Sequence, residues 1–411
     1  MRSSRRSLAC RGCATSSSGG TREPTGRSSR CVSTGAVRSL RIVAKSISFA
    51  RGAPSLDIVD VEGLRAAADS AFTADPGGMT AYGTAIGYPP LREWIAERHQ
   101  VAPEQVVVTN GSMQADAFLF DALVQDGDSV IVERPTYDRT LLSLRQRGAD
   151  VRMVELEPDG IDVAAMERVL SAGARPKLAH IIPNFQNPAG YTLSAEKREV
   201  LLELAGNHGF TVFEDDPYVA LRFEGAPLPT MLSMDQSESV VYASSFSKTV
   251  CPGIRVGYLV GPAEVIARVV KIATHTYISP NMVSQAIVHQ FCLSGALERS
   301  IENVRNALRE RAETLCEALS SELPEARFVK PSGGYFLWID LPRGTDVGAL
   351  FEAAAERGVL FVKGSDFVLA GAESSLRIAY SGVTPAEIEE GVKRLAEAYE
   401  QVRHAETVDA P

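Results

Sequence analysis

Cysteine is scarce in this sequence, tryptophan is scarcer, and long apolar runs are missing. Six cysteines in 411 residues are too few for a disulfide scaffold. Cys10 and Cys13 form a CxxC pair, but no second pair or nearby histidine completes a zinc site. No apolar run approaches the ~18 residues that a membrane-spanning helix needs. We therefore expect neither a metal site nor a membrane-spanning segment.

Positive charge is concentrated at the start of the chain and is outweighed by negative charge in the rest. Residues 1–45 contain ten basic residues and one acidic residue, which leaves 32 basic and 50 acidic residues in the remainder. An acidic body repels the phosphate backbone of nucleic acids. We therefore expect no nucleic-acid partner for the main fold.

The composition of residues 1–45 is rich in serine and arginine and has almost no periodic apolar residues. Such a segment cannot bury enough surface to offset its ordering entropy, so we expect disorder. It contains no apolar stretch typical of a secretory signal, and we expect a cytoplasmic protein. The arginine-rich, acid-poor pattern fits a transit peptide. We prefer an over-long translation start, with the protein proper beginning near Val43.

Short apolar runs alternate with helical patterns from Ser46 onwards. One helical pattern begins at Ser194 and ends at Gly209, between two strand-like runs. This alternation predicts an α/β fold with a mostly parallel central sheet covered by helices on both faces. The runs that predict its strands are residues 105–111, 128–137, 177–185, 211–218, 239–248 and 254–262.

The C-terminal part of the sequence predicts a second, smaller α+β region. A long helical stretch extends from about Asn281 to Leu323, and a terminal helix extends from Thr384 to about Ala405. Between them lie three strand-like segments with the sequences GYFLWIDLP, VLFVKG and SSLRIAYSGV. No internal repeat is present.

Several predicted strands end in polar residues, at the edge of the sheet where open α/β proteins bind ligands. The turn around Ser112 leads directly into a helix, whose free N–H groups can bind phosphate, although Ser112 alone also fits a plain N-cap. Asp215 and Asp216 end another strand, where two carboxylates are costly unless solvated or partnered. Lys248 follows a further strand among hydroxyl groups and close to Arg255, which favours a lowered amine pKa and a role as nucleophile and base.

Six segments together resemble the fold type I pyridoxal-phosphate enzymes, specifically class I/II aminotransferases of the 2-aminoadipate and kynurenine type. The resemblance covers roughly residues 46–400 and implies a large cofactor-binding domain, a smaller α+β domain and a homodimer with shared active sites. It places an N-terminal arm at 46–75, the large domain at 76–285 and the small domain at 286–405. The segments are AYGTAIGYPPLRE, VTNGSMQA, NFQNPAG, EDDPY, SSFSKTVCPGIRVGY and PSGGYFLW.

The resemblance implies a role for each matching residue. Lys248 would form the internal aldimine with pyridoxal 5'-phosphate, and Asp215, Tyr218 and Lys248 would be the catalytic residues. Asp215 would pair with the ring nitrogen; its spacing of three to Tyr218 favours it over Asp216. Tyr218 and Asn187 would contact the phenolic oxygen, and Tyr137 would stack on the ring. The phosphate side would consist of Ser112, Met113, Gln114, Ser245 and Arg255, with Tyr82 from the partner subunit.

The substrate side matches the family less well than the cofactor side. Arg377 would bind the substrate α-carboxylate, with Asn187 beside it, but the segment before Arg377 is short. Arg51 stands where relatives commonly have glycine, and residues 84–86 also differ. Arg51 is either a surface residue or a ligand for a carboxylate or phosphate at the distal end of the substrate.

We expect an aminotransferase that moves an amino group between an amino acid with a long or polar side chain and a 2-oxo acid. An alternative is a pyridoxal-phosphate enzyme of specialised metabolism that performs β- or γ-elimination or forms carbon–carbon bonds, because one fold hosts many such reactions. A third hypothesis is a transcription regulator fused to such a domain. The N-terminal segment lacks the apolar periodicity of a DNA-binding domain, which argues against it.

Overall fold

The computed structural model describes residues 46–408, with side chains to residue 404. The predictions for residues 1–45, including disorder and the CxxC pair, lie outside the described residues. Among the described helices, none is both long and apolar enough to cross a membrane. The strands are β1 Ile47–Ser48, β2 Val106–Thr109, β3 Ser129–Arg134, β4 Asp150–Glu157, β5 Gly160–Ile161, β6 Leu178–Ile181, β7 Thr211–Asp215, β8 Val240–Ser245, β9 Gly257–Val260, β10 Phe336–Asp340, β11 Val359–Leu360, β12 Val362–Lys363 and β13 Ser375–Ala379.

An eight-stranded sheet organises most of the chain, in the order β2-β9-β8-β7-β6-β3-β4-β5. Neighbouring strands from β8 to β4 are parallel, whereas β9 runs antiparallel to both β2 and β8. Strands β2, β6, β8 and β9 are buried along their whole length, because apolar side chains alternate onto two covered faces. The carboxyl ends of β2, β3, β6, β7 and β8 therefore lie at one edge of the sheet.

Helices cover both faces of this sheet and form the connections between its parallel strands. Helix α7 illustrates the local signals, because the Ser194 side chain accepts the Lys197 N–H at its start and Gly209 ends it at φ +70°. The helices are α1 Val61–Ala74, α2 Pro76–Thr80, α3 Pro89–His99, α4 Ser112–Leu123, α5 Asp138–Gln146, α6 Val163–Ser171, α7 Ala195–His208, α8 Met231–Met234, α9 Ala263–Tyr277, α10 Met282–Leu293, α11 Ala296–Glu322, α12 Val347–Glu356 and α13 Pro385–Val408.

A smaller antiparallel sheet, in the order β10-β13-β12, follows helix α11 in the chain. Helices α11, α12 and α13 contribute to the apolar core beside it, with fully buried side chains such as Leu315, Leu350 and Ile388. The short strands β1 and β11 pair in parallel, so the N-terminal segment joins this part of the fold. The expected domain boundaries at 46–75, 76–285 and 286–405 stay a prediction.

The structure differs from the sequence prediction in one long element. The predicted helix from Asn281 to Leu323 is two helices, α10 and α11, because Gly295 adopts φ +70° between them. A left-handed glycine interrupts the helical hydrogen bonds and lets the chain change direction.

Candidate functional site

A cavity lies at the carboxyl ends of the central strands. Strands β3 and β6 are neighbours in the sheet, but the chain continues from β3 to β4 on one side and from β6 to β7 on the other. Ligands of open α/β sheets bind at such a switch point. The structure brings nine of the predicted site residues together here. The cavity is lined by Ser112, Met113, Asp116, Tyr137, Ile182, Asn187, Asp215, Pro217, Tyr218, Ser245, Ser247, Lys248 and Arg255.

One end of the cavity is built for an anion. Ser112 is the first residue of α4, so the N–H groups of Ser112 and Met113 have no acceptor within the helix. Arg255 lies across the same turn and donates from Nη1 to the Ser247 hydroxyl at 3.2 Å. A Cβ at Gly111 would stand 2.2 Å from Arg255 Nη2, and one at Gly257 would stand 2.4 Å from the Ser112 nitrogen. Both glycines therefore keep a cradle of backbone and guanidinium donors open.

Asp215 lies at the end of β7 and carries an unsatisfied oxygen into the cavity lining. Its Oδ2 lies 3.3 Å from His180 Nε2. Its Oδ1 is buried and has no hydrogen-bond partner among the described residues. A buried carboxylate oxygen without a partner is costly, so a protonated ring nitrogen at this position would satisfy it.

Asp216 lies outside the cavity lining, although it follows Asp215 directly. Its Oδ2 accepts a hydrogen bond from Asn184 Nδ2 at 2.9 Å, and the residue is fully buried. Burial raises its pKa well above the ordinary value for an aspartate. The Asn184 amide oxygen in turn accepts from Arg198 Nη2 at 3.2 Å. Asp216 is thus part of a buried polar network behind the sheet edge.

Lys248 belongs to the same cavity lining as the anion cradle and Asp215. Nζ donates a hydrogen bond to the Gly52 carbonyl oxygen at 2.7 Å. Burial and the positive charges of Arg377 and Arg255 together lower the pKa of Lys248 to about 8, although the charge of Asp215 opposes them. More of this amine is uncharged near neutral pH than for an ordinary lysine, as a nucleophile and base requires.

Two tyrosines border the space beside Lys248. Burial raises the pKa of Tyr137 to about 12 and that of Tyr218 well above its usual value, so both hydroxyl groups keep their protons at neutral pH. The Tyr218 ring centre lies 5.5 Å from Lys248 Nζ. Tyr137 is the N-cap residue of α5, and its hydroxyl lies 3.8 Å from Met113 Sδ. Tyr218 is therefore a hydrogen-bond donor near the amine, and Tyr137 an aromatic surface.

Arg377 reaches the site from the smaller sheet through Asn187. Its Nη1 donates to Asn187 Oδ1 at 2.9 Å, and its Nη2 donates to the Ala50 carbonyl oxygen at 2.6 Å. Nε is buried and has no partner among the described residues. The guanidinium carbon lies 4.5 Å from the Phe336 ring centre and 4.9 Å from that of Phe367. A buried, oriented guanidinium of this kind suits a carboxylate ligand.

Besides Arg377, three predicted site residues are not among those lining the cavity. Gln114 uses its Oε1 to accept the Asn110 N–H at 3.0 Å, a hydrogen bond that stabilises the turn before α4. The Tyr82 side chain is 88% exposed. Arg51 is exposed too, but it directly precedes Gly52, whose carbonyl contacts Lys248.

Two buried carboxylates of the site were not anticipated from the sequence. Asp116 on α4 belongs to the cavity lining, and a carboxylate within the apolar pattern of residues 112–124 was the signal that could have revealed it. Glu133 on β3 accepts from Gln186 Nε2 at 3.0 Å and from the Ile182 N–H at 3.2 Å. Burial raises the pKa of Glu133 to about 8. These contacts fix the turn that presents Asn187.

The residues present fit pyridoxal phosphate. One cavity contains an anion cradle, an Asp215 oxygen without a partner among the described residues, and an amine of lowered pKa. Within residues 46–408, no group of three or more histidine, cysteine or acidic side chains could hold a metal ion.

Comparisons with known proteins agree with this geometry. The family model for aminotransferase class I and II matches residues 44–395. A 2-aminoadipate transaminase from Thermus thermophilus is 34% identical over 86% of this chain and 89% of its own length. An aromatic-amino-acid aminotransferase from Thermococcus litoralis is 31% identical, over 88% and 90% respectively.

A solved structure extends the likeness to the fold. The α-aminoadipate aminotransferase from Thermus thermophilus, complexed with N-(5'-phosphopyridoxyl)-L-leucine, superposes with a TM-score of 0.84 at 33% identity, over 88% of this chain and 93% of that one. The fold type I architecture, the cofactor and transamination expected from the sequence are thereby confirmed, and the eliminating or carbon–carbon bond-forming alternative is not favoured. The chain belongs to the class I and II aminotransferases, which are pyridoxal-phosphate-dependent transferases that move an amino group between an amino acid and a 2-oxo acid.

Proposed function

We propose that Lys248 anchors pyridoxal phosphate in the cavity described above, and that the preferred amino donor has a long or polar side chain. The observation that carries the first part is the position of Lys248. Among residues 46–408 it is the only lysine in the cavity lining, and its pKa is lowered to about 8. Its amine is therefore in the cavity lining, and more of it is uncharged near neutral pH than for an ordinary lysine, as covalent attachment requires.

The other lining residues would each hold one part of the cofactor. Ser112, Ser245 and Arg255 would bind the phosphate through charge-assisted hydrogen bonds, with Met113 beside them. Asp215 would keep a proton on the ring nitrogen, and Tyr137 would stack against the ring. Tyr218 and Asn187 would hydrogen-bond the phenolic oxygen. The contact proposed for Gln114 would have to come from its Nε2, because its Oε1 accepts the Asn110 N–H and its backbone N–H donates to the Gly111 carbonyl oxygen.

Transamination then requires a positioned substrate and a proton carrier. When bound, pyridoxal phosphate supplies an electron sink for the charge left at the substrate Cα after its proton departs. Arg377 would bind the substrate α-carboxylate. Its Nη1 now donates to Asn187 Oδ1 at 2.9 Å, and the carboxylate would share or replace this acceptor. A fixed carboxylate fixes the direction of the Cα–H bond. Lys248 Nζ would take the proton from the substrate Cα and deliver it to carbon C4′ of the cofactor.

Arg51 would contact the distal end of the substrate. This proposal is supported by the hydrogen bond from Lys248 Nζ to the Gly52 carbonyl at 2.7 Å, because it puts the residue after Arg51 against the reacting amine. Arg51 itself is exposed, as a residue at a substrate entrance would be. A guanidinium there favours a donor with a distal anionic group, and 2-aminoadipate, named for one relative, has such a group.

We also propose a homodimer in which Tyr82 of each subunit completes the phosphate site of the other. Exposed apolar side chains near the cavity mouth support it: Tyr82 is 88% exposed, Ile278 61% and Met113 49%. Two contacts join the segments that carry these residues. Gly83, which follows Tyr82, lies against Met282, and the Asn281 N–H donates to Asn110 Oδ1 at 2.9 Å. An exposed apolar cluster at the rim of a site is typical of a surface that a partner covers.

Co-expression of two inactive variants tests the shared site. A Tyr82→Asp subunit paired with a Lys248→Ala subunit should form one intact site per mixed dimer and regain activity that neither variant has alone. Sedimentation should give twice the subunit mass of 44.2 kDa. A monomer mass, or no activity in the mixed sample, would contradict the shared site.

For location, we propose the cytoplasm. The thiols of Cys251, Cys292 and Cys316 are all free, as is usual in a reducing compartment. Fractionation of the native cells with an antibody to the protein tests this, and recovery in a secreted or membrane fraction would contradict it.

The substrate is tested by a screen of amino donors with 2-oxoglutarate as acceptor, with Lys248→Ala as the inactive control. We expect stoichiometric formation of glutamate and a 2-oxo acid, with the highest kcat/KM for donors that carry a distal carboxylate or a long polar group. Best turnover with short neutral donors would overturn the substrate proposal while leaving the family assignment intact.

A further inference from the structure

Asp116 is an acidic residue in an otherwise apolar face of helix α4. It lies one turn after Ser112, and it lines the same cavity as Asp215. Only 8% of its surface is exposed, and its Oδ1 has no hydrogen-bond partner among the described residues. None of the roles proposed above uses this side chain.

The packing of α4 directs Asp116 towards the ends of β6 and β7. Phe120, one turn further along the helix, packs edge-on against His180 of β6 with ring centres 6.3 Å apart. His180 Nε2 in turn lies 3.3 Å from Asp215 Oδ2. Two carboxyl groups, each with a buried oxygen that lacks a partner, therefore line one small cavity.

Two carboxylates that are close together in a buried site do not both ionise readily, because each charge lacks solvation and repels the other. Burial raises the pKa of Asp116 well above its usual value, and the charge of Asp215 raises it further. The titratable or charged groups that face this region are His180 on β6, Asp215 on β7, Tyr218 after β7, Glu133 on β3, Tyr137 before α5, and Lys248 and Arg255 after β8. Of these, Asp215 has the strongest influence on Asp116.

We propose that Asp116 is a cofactor-positioning residue that keeps its proton and forms a carboxyl–carboxylate pair with Asp215, so that a single negative charge faces the ring nitrogen of pyridoxal phosphate. The pair has the same net charge as Asp215 alone, but the Asp116 hydroxyl adds a hydrogen bond that stabilises the Asp215 carboxylate. Asp116 thus acts on the cofactor through Asp215. This inference rests on the proposed binding of the cofactor at Lys248.

Two substitutions distinguish the hydrogen-bond donor of Asp116 from its negative charge and from the space that it fills. Asp116→Asn keeps a neutral hydrogen-bond donor of the same shape, whereas Asp116→Leu fills the space without a donor. We expect Asp116→Asn to bind pyridoxal phosphate within about twofold of the wild type, and Asp116→Leu to bind it about tenfold more weakly or worse. Equilibrium dialysis with apoprotein measures both. Equal binding by wild type and Asp116→Leu, or equal weakening by both variants, would overturn the proposal.

The apoprotein provides a second readout that needs no cofactor. A carboxyl whose pKa is raised on folding stabilises the folded state at low pH, and this stability is lost as the pH rises above its ordinary value. The thermal midpoint of wild-type apoprotein should therefore fall relative to Asp116→Asn as the pH rises above about 4. Asp121→Asn on the same helix, at an exposed position, is the control. A constant difference between wild type and Asp116→Asn across this range would show an ionised Asp116 and contradict the pair.

The two readouts also separate this inference from the proposed function. If no variant binds pyridoxal phosphate at Lys248 but the midpoint of the apoprotein depends on pH as described, the carboxyl pair stands and the cofactor site fails. If the wild type binds the cofactor covalently and Asp116→Leu behaves like it in both experiments, the cofactor site stands and the pair fails.

Discussion

Asp215 and Asp216 are consecutive residues at the end of β7, but their carboxyl groups have different surroundings. Asp215 lines the cavity, whereas Asp216 Oδ2 accepts a hydrogen bond from Asn184 at 2.9 Å outside the cavity lining. In each of the two carboxyl groups, Oδ1 is buried and has no hydrogen-bond partner among the described residues. Successive side chains of a strand point to opposite faces, so one carboxyl can serve the site and the other the interior. The cavity lining thus supports the choice of Asp215, which its spacing to Tyr218 also favours.

Replacing these two aspartates should therefore have different consequences. In the proposed site, Asp215→Ala would remove the charge partner of the ring nitrogen. We expect this to raise the activation free energy by roughly 2–5 kcal/mol, which lowers the rate tens- to thousands-fold. Asp216→Ala leaves the Asn184 amide without its acceptor and should cost about 1–3 kcal/mol of stability, with a nearly normal rate per folded site. Single-turnover rates and thermal midpoints of both variants check this. A crippled Asp216→Ala beside a normal Asp215→Ala would reverse the assignment.

Arg51→Ala tests the proposed contact with the distal end of the substrate. A partly exposed charge-assisted bond contributes about 1–3 kcal/mol, so KM for a dicarboxylic donor should rise roughly 5- to 150-fold, with kcat nearly unchanged. A neutral donor should be affected much less. The matched control is Arg65→Ala, which removes an exposed arginine paired only with Glu62 on the helix surface. If both variants show wild-type kinetics with acidic and neutral donors alike, Arg51 is a surface residue.

The lowered pKa of Lys248 predicts a pH dependence of the stability of the apoprotein. Between about 8 and the ordinary value of 10.5, the unfolded chain binds a proton at Lys248 that the folded chain has released. The free energy of unfolding should therefore rise with pH across this interval, by at most about 3 kcal/mol. The Lys248→Met variant lacks this group, so the wild type should gain stability relative to it from pH 8 upwards. An unchanging difference between the two would contradict the lowered pKa, and the exposed Lys271→Met substitution is the control.

The sequence predicts the central sheet well because its strands are short, β-branched and fully buried. The runs 211–218 and 239–248 contain β7 and β8, and the predicted limits of α7 at Ser194 and Gly209 are confirmed. The alternating pattern of β4 was not identified as a strand, because its burial is partial and mixed along its length. The antiparallel direction of β9 depends on tertiary pairing with β2 and β8, which no local pattern encodes.

Much of the candidate site could also be located from the sequence, because its residues follow directly on predicted strands. Lys248, Asp215 and Asn187 do so, and the structure brings them into one cavity. The side-chain direction of Gln114 could not be predicted, since it depends on a hydrogen bond within its own turn. Asp116 was missed because its environment comes from β6 and β7, which are distant in the chain.

The most direct test of the account is to find which lysine carries the cofactor. The protein is loaded with pyridoxal phosphate, the covalent link is reduced with borohydride to a stable amine, and the modified peptide is located by mass spectrometry. We expect the added mass on Lys248. We also expect Lys248→Ala to lose the absorbance band of the covalent lysine–cofactor link while still folding and holding free cofactor through Ser112, Ser245 and Arg255. Stoichiometric labelling of another lysine, or an unchanged absorbance band in Lys248→Ala, would contradict the assignment of the active site.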